Sequence, residues 1–119
     1  MNITCTEAGN ALVIHYTGDI DHHSAAALSA RLEEIVEDAC PEKLLFDLAG
    51  LAFMDSSALA VLMRLKRLMD ESGGKLALGN VPAQAEKVLR AAGMTRLIPI
   101  FAPNARIRKD DHHETHACQ

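Results

Sequence analysis

Apolar and polar positions along the chain fall into short segments whose period switches between two and about 3.6. Ile3 to Glu7 and Ala11 to Ile20 read as two strands, with Ala8-Gly9-Asn10 as the turn between them. In the second, Leu12, Ile14 and Tyr16 alternate with Val13, His15 and Thr17, so one face is the more apolar. From Ala25 to about Ala39 the spacing becomes helical. Leu28, Leu32, Ile35, Val36 and Ala39 form a stripe, and Arg31, Glu33, Glu34, Glu37 and Asp38 take the other face. Cys40-Pro41 closes that helix, because proline disfavours helical geometry in the residue before it. Lys43 to Leu48 is a nearly continuous apolar run, the signature of a strand in a parallel sheet. Ala49 to Met54 then forms the approach to a pair of serines.

The next helix is predicted from Ser57 to about Ser72. Ala58, Val61, Leu62, Leu65, Leu68 and Met69 share one broad arc, the expected core face. Leu59 and Met63 lie beyond its edge beside Lys66 and Asp70, with Arg64 and Arg67 on the far side. This extra apolar width fits either a helix packed under a neighbour or an exposed ridge of the kind that marks a protein-binding surface. Methionine would supply an adaptable contact on such a ridge. Ser72-Gly73-Gly74 ends the helix, and Lys75 to Gly79 reads as a strand. Asn80-Val81-Pro82 opens a further helix with the stripe Ala85, Val88, Leu89 and Ala92, stopped by Gly93. Leu97 to Phe101 reads as a last strand. The order β-β-α-β-α-β-α-β implies an α/β fold: a mixed, mainly parallel sheet of about five strands with flanking helices and one antiparallel partner.

The chain has 119 residues, which suits one core, assigned to residues 1–103. Residues 104–119 form a polar, His-containing tail that is expected to be flexible. Aromatics make up only 3% of the chain, so the interior must be built from Leu, Val, Ile, Ala and Met. A net charge of −4 gives no global attraction to nucleic acid, and no direct nucleic-acid contact is expected. No apolar run approaches the roughly 20 residues needed to span a bilayer, so no membrane insertion is expected. No signal peptide is read at the start. Cys5, Cys40 and Cys118 are odd in number and widely spaced, which indicates neither a disulfide framework nor a metal knuckle. A reduced cytoplasm is the expected setting.

The candidate chemistry gathers at Ser56 and Ser57. A helix start leaves N–H groups unpaired and carries a partial positive charge. A hydroxyl there can cap the helix, with Asp55 just ahead of it, or it can carry a phosphate whose charge suits that position. Asp47, near the end of a central strand, is a candidate receiver-like phosphoacceptor. That chemistry needs a Mg²⁺ cluster, however, and the first strand offers only Glu7. His15 reads as a partly exposed pairing residue, and Asp21-His22-His23 as a loop rather than a metal site. His112, His113, His116 and Cys118 could take a transition metal, although a frayed tail explains them as well. No metal or other cofactor is assigned. No Gly-x-Ser-x-Gly elbow is present and no histidine is placed by motif to activate a serine, so no catalytic residue is assigned and no enzyme is expected.

Gly18-Asp19-Ile20-Asp21-His22-His23-Ser24-Ala25, followed by Phe53-Met54-Asp55-Ser56-Ser57-Ala58-Leu59, resembles the anti-sigma-factor antagonists, whose fold is the STAS domain. The similarity runs over roughly residues 3 to 101. It implies that Ser57 is phosphorylated by a partner that is both anti-sigma factor and serine kinase, and that a phosphatase of the PP2C type resets it. It also implies that the unmodified form binds that partner and releases the sigma factor, with Asp21 close to the serine. Asp21, Asp55, Ser56, Leu59, Met63 and Lys66 are the candidate partner-binding residues. The family usually has glycine where this chain has Ala58, and a final helix where this chain has its polar tail. A constitutive STAS adaptor, docked on a larger signalling or membrane-transport complex without Ser57 phosphorylation, is the alternative expectation.

Overall fold

The computed structural model describes residues 1–101 and 115–117. Its elements are β1 (Asn2–Ala8), β2 (Ala11–Ile20), α1 (Ala25–Ala39), β3 (Lys43–Met54), α2 (Ser57–Glu71), β4 (Lys75–Gly79), α3 (Ala83–Ala91), a 3-10 turn (Met94–Arg96) and β5 (Thr115–Ala117). They build one five-stranded sheet in the order β4-β3-β2-β1-β5. β1 pairs antiparallel with β2 and with β5, whereas β2–β3 and β3–β4 are parallel. Two right-handed crossovers taken in the same direction put their helices on the same face. α1 and α2 accordingly pack side by side, and the inter-helix pair Arg64–Glu33 at 2.9 Å joins their rims.

The core occupies that covered face. Ile3, Leu12, Ile14, Tyr16, Leu44, Phe46, Leu48, Leu76 and Leu78 meet Leu28, Leu32, Val61, Leu62, Leu65, Met69 and Leu89 in one cluster. Full burial of a Leu- or Phe-sized side chain contributes about 1.5–3 kcal/mol, so this cluster supplies the main driving force for folding. α1 ends where Cys40 adopts a left-handed conformation and its N–H bonds the Val36 carbonyl at 2.8 Å.

Two expectations need correction. The strand β3 runs from Lys43 through Met54 instead of ending at Leu48, so the approach to the serines is itself strand. Its register against β2 shifts between His15 and Thr17 and again between Gly18 and Asp19. Each shift absorbs an extra β3 residue, so both strands still finish together, with Ile20 opposite Met54. At the first shift a Cβ on Gly50 would lie 2.6 Å from Thr17 Oγ1 and 2.8 Å from the Tyr16 carbonyl oxygen, so only glycine fits there. The predicted strand Leu97 to Phe101 is reduced to a single parallel bridge between Leu78 and Ile100. Leu97 and Ile98 donate their N–H groups back to the Met94 carbonyl, and Pro99 has no N–H to offer a neighbour. The fifth strand is β5 instead. Apart from that segment, the predicted tail at 104–119 lies outside the described residues.

Candidate functional site

The parallel strands β2 and β3 end side by side, and each runs into a helix through a short loop. In open α/β sheets this carboxyl edge is where ligands are usually received. Both loops are held by an aspartate acting as a helix cap. Asp21 Oδ1 accepts the N–H groups of His23 and Ser24, each at 3.0 Å, while Asp21 N–H donates to Ser24 Oγ at 3.0 Å. This reciprocal pattern is a capping box with serine in the place usually taken by glutamate. Ser24 Oγ also donates to the Asp19 carbonyl at 3.0 Å, and the buried Tyr16 hydroxyl donates to the same oxygen. Hydrogen bonds from Ser24, above all from its backbone N–H, hold the Asp21 carboxyl below its ordinary pKa. Burial raises that of the Tyr16 phenol, and the negative charges of Asp19 and Asp21 add to the rise.

Asp55 plays the matching part for α2. Its Oδ1 accepts Ser57 N–H at 2.8 Å, and its Oδ2 accepts His22 N–H at 3.3 Å, so one carboxylate caps α2 and latches the neighbouring loop. Asp55 N–H donates to the Ile20 carbonyl at 3.1 Å, a second tie between the loops. Just upstream, the Gln84 carboxamide grips Met54 at both main-chain groups: Met54 N–H to Oε1 at 2.9 Å and Nε2 to the Met54 carbonyl at 2.7 Å. β4 ends at Gly79, so Gln84 from α3 takes over the pairing that β4 provides along the earlier part of β3. Sequence reading missed Gln84, because a contact 30 residues away leaves no local pattern.

With Asp55 as the cap, the serines are released from that duty. Ser56 makes no side-chain cap hydrogen bond, and among the described residues the Ser57 hydroxyl makes no hydrogen bond at all. Ser56 is exposed and Ser57 half-buried. The first helical N–H groups are already engaged, Ser57 by Asp55 Oδ1, Ala58 by the Asp55 carbonyl and Leu59 by the Ser56 carbonyl. A phosphate on Ser57 would therefore meet the helix dipole but not a set of open donors. The methyl of Ala58 is wholly buried in the core, so it leaves the approach to Ser57 unobstructed.

Asp21, Asp55, Ser56 and Ser57 thus gather at one edge, while the remaining candidates lie farther along α2. Leu59 is half-buried against the core, so the predicted ridge narrows to Met63, which is 38% exposed. Met63 and Lys66 line a shallow groove of about 330 Å³ with Arg67, Asp70, Glu71 and the exposed Leu97. Lys66 is already paired with Asp70 at 2.9 Å. Phe53, 44% exposed, extends the apolar surface on the strand leading to the serines.

On the opposite face of the sheet a polar chain crosses the strands. Thr6 Oγ1 lies 3.0 Å from His15 Nε2, His15 Nδ1 lies 2.7 Å from Asp47 Oδ2, and Asp47 Oδ1 accepts Asn80 Nδ2 at 2.9 Å and Ala49 N–H at 3.0 Å. Burial alone would raise the Asp47 pKa, but the hydrogen bonds from His15, Asn80 and Ala49 outweigh it and the net shift is downward. Both carboxylate oxygens accept hydrogen bonds and Asp47 is buried, so the receiver-like reading finds no exposed carboxylate at this position. Among the described residues no group of three or more His, Cys, Asp or Glu side chains could hold a metal ion. Cys5 is disulfide-bonded, against the expectation from cysteine spacing, and Cys40 is free and exposed. No helix among the described residues is long and apolar enough to cross a membrane.

A single mixed sheet backed by helices, with a serine-bearing helix start at its carboxyl edge, places the chain among small α/β domains. The chain belongs to the STAS domain family, whose profile matches residues 2–105. It is 28% identical over 90 residues to the anti-sigma F factor antagonist of Paenibacillus polymyxa, covering 76% of this chain and 77% of that protein. The fold matches the anti-sigma factor antagonist SpoIIAA in its unphosphorylated form, with a TM-score of 0.67, 21% identity and coverage of 82% of this chain and 86% of the other. It also matches a sulfate transporter family protein from Wolinella succinogenes, with a TM-score of 0.65, 16% identity and coverage of 78% and 77%.

Proposed function

We propose that this chain is an anti-sigma-factor antagonist: a non-enzymatic binding module that sequesters an anti-sigma factor with serine-kinase activity while Ser57 is unmodified. Phosphorylation of Ser57 by that kinase ends the interaction, and a PP2C-type phosphatase restores it, all in the cytoplasm. The observation that carries this reading is the free Ser57 hydroxyl, relieved of capping by Asp55 and held at a rigid edge by Asp21, Asp55 and Gln84. Resemblance to curated antagonists of sigma-factor control supports the partner class.

The switch is electrostatic. Phosphoserine adds about −1.5 to −2 charges at neutral pH. A partner carboxylate about 5 Å away, at an effective dielectric near 20, is repelled by several kcal/mol before salt screening. The site's own acidic groups, Asp21 and Asp55, lie beside the new charge, so the interface becomes strongly negative without refolding. Incubation with the cognate kinase and ATP, followed by phosphosite mapping and pull-down, tests the proposal. Ser57→Ala should retain binding and lose phosphorylation, and Ser57→Asp should lose binding. Equal binding of the unmodified and Asp forms, with no phosphate on Ser57, would instead favour a constitutive STAS adaptor.

A further inference from the structure

The two loops that frame Ser57 are unusual in their charge. No lysine or arginine occurs from Thr17 to Ala30 or from Leu44 to Met63, yet Asp19, Asp21 and Asp55 all lie in these stretches. The cations that follow these stretches are already paired, Arg31 with Glu34 at 2.8 Å and Arg64 with Glu33 at 2.9 Å, while Lys43, which precedes the second, stands at the far end of β3 from Met54. From α3 the side chain reaching the Ser57 loop is Gln84, which is uncharged. The α-amino group of Met1 lies beside Gly18, at the end of β2. Among the described residues, the remaining groups able to carry positive charge here are His22 and His23. Their imidazoles are exposed, stand edge to face with centroids 5.6 Å apart, and make no hydrogen bond among the described residues. Only their main-chain N–H groups serve the caps, His22 to Asp55 and His23 to Asp21. The same Asp55 carboxylate that receives His22 N–H receives Ser57 N–H, which sets the histidine pair on the rim of the serine.

We infer that His22 and His23 are the counter-charge of Ser57 in its phosphorylated state, so that acid conditions favour the modified form and make partner switching sensitive to pH near neutrality. The inference rests on Ser57 being the phosphorylated residue. Phosphoserine loses its second proton near pH 6, and imidazole gains its proton in the same range, so the two ionisations can be coupled. A dianion set among Asp19, Asp21 and Asp55 needs such compensation. Protonated imidazoles supply it without disturbing the caps.

The test installs phosphoserine at position 57 of the whole chain by codon-directed incorporation, so no kinase or partner is involved. The ³¹P NMR titration of that phosphate is followed from pH 4 to 8.5 in the otherwise unchanged protein and in H22Q/H23Q. Both substitutions keep the capping N–H groups, and the single variants H22Q and H23Q stand in if the double variant does not fold. The phosphate transition should move up by about half a pH unit or more when the imidazoles are removed. High salt should narrow that gap. Coincident titrations at low salt overturn the inference. Because this readout does not involve the partner, a failure of the partner-binding proposal would leave it unchanged.

Discussion

If Asp55 caps α2 and the serines do not, alanine at each position should separate the two roles. Asp55→Ala removes the 2.8 Å bond to Ser57 N–H and the weaker 3.3 Å bond to His22 N–H. Loss of a helix cap costs about 0.5–2 kcal/mol, and the latch to the α1 loop puts the expected value at about 1–2 kcal/mol. With a urea m-value of about 1–2 kcal/mol/M for a domain of this size, the unfolding midpoint should fall by roughly 1 M. Asp55→Asn keeps an acceptor oxygen and loses the charge at the helix start, so about half a kcal/mol is expected. Ser56→Ala and Ser57→Ala remove hydroxyls that form no hydrogen bond among the described residues, and each should stay within about 0.5 kcal/mol of the parent. Urea unfolding followed by circular dichroism measures all four variants. A Ser57→Ala loss as large as that of Asp55→Ala would refute the reasoning, because the hydroxyl would then be the cap.

Gln84→Ala should destabilise the domain by about 1–2 kcal/mol by removing both bonds to Met54. It should also speed amide exchange at residues 53–57, read by hydrogen–deuterium exchange mass spectrometry. Gly50→Ala places a Cβ against Thr17 and the Tyr16 carbonyl and should cost about 1–3 kcal/mol in a chemical-denaturation assay. Asp47 has a lowered pKa in the folded state, so its stabilisation is complete above the unfolded value and is lost as pH falls through the folded one. Asp47→Asn should therefore flatten the acid limb of the stability profile below about pH 4, measured by unfolding midpoints across pH.

The elements with strong periodicity were legible from residues alone. β2, α1 and the start of α2 fall where alternation and helical stripes put them, because one buried face imposes that pattern over many residues. The later half of β3 was not legible, because its bulges are defined by pairing with β2 and leave no periodic trace. The last predicted strand failed for a local reason: the 3-10 turn takes up Leu97 and Ile98, and Pro99 cannot donate. At the site, Asp55, Ser56 and Ser57 are all good capping residues in adjacent positions, and sequence cannot choose among them. The backbone geometry chooses Asp55, and that choice frees the hydroxyl. Leu59 looked like part of an exposed ridge because a helical wheel does not show how closely neighbouring elements approach. The structure packs it against the core and leaves Met63 and Phe53 outside.

The central claim is that the charge state of Ser57 decides docking. The most direct measurement is calorimetric titration of the anti-sigma factor kinase from the same cell with this chain, bearing either serine or phosphoserine at position 57. A penalty of about 4 kcal/mol converts a micromolar complex to a millimolar one, so phosphorylation should weaken binding about 1,000-fold. Affinities agreeing within a factor of two would contradict the account.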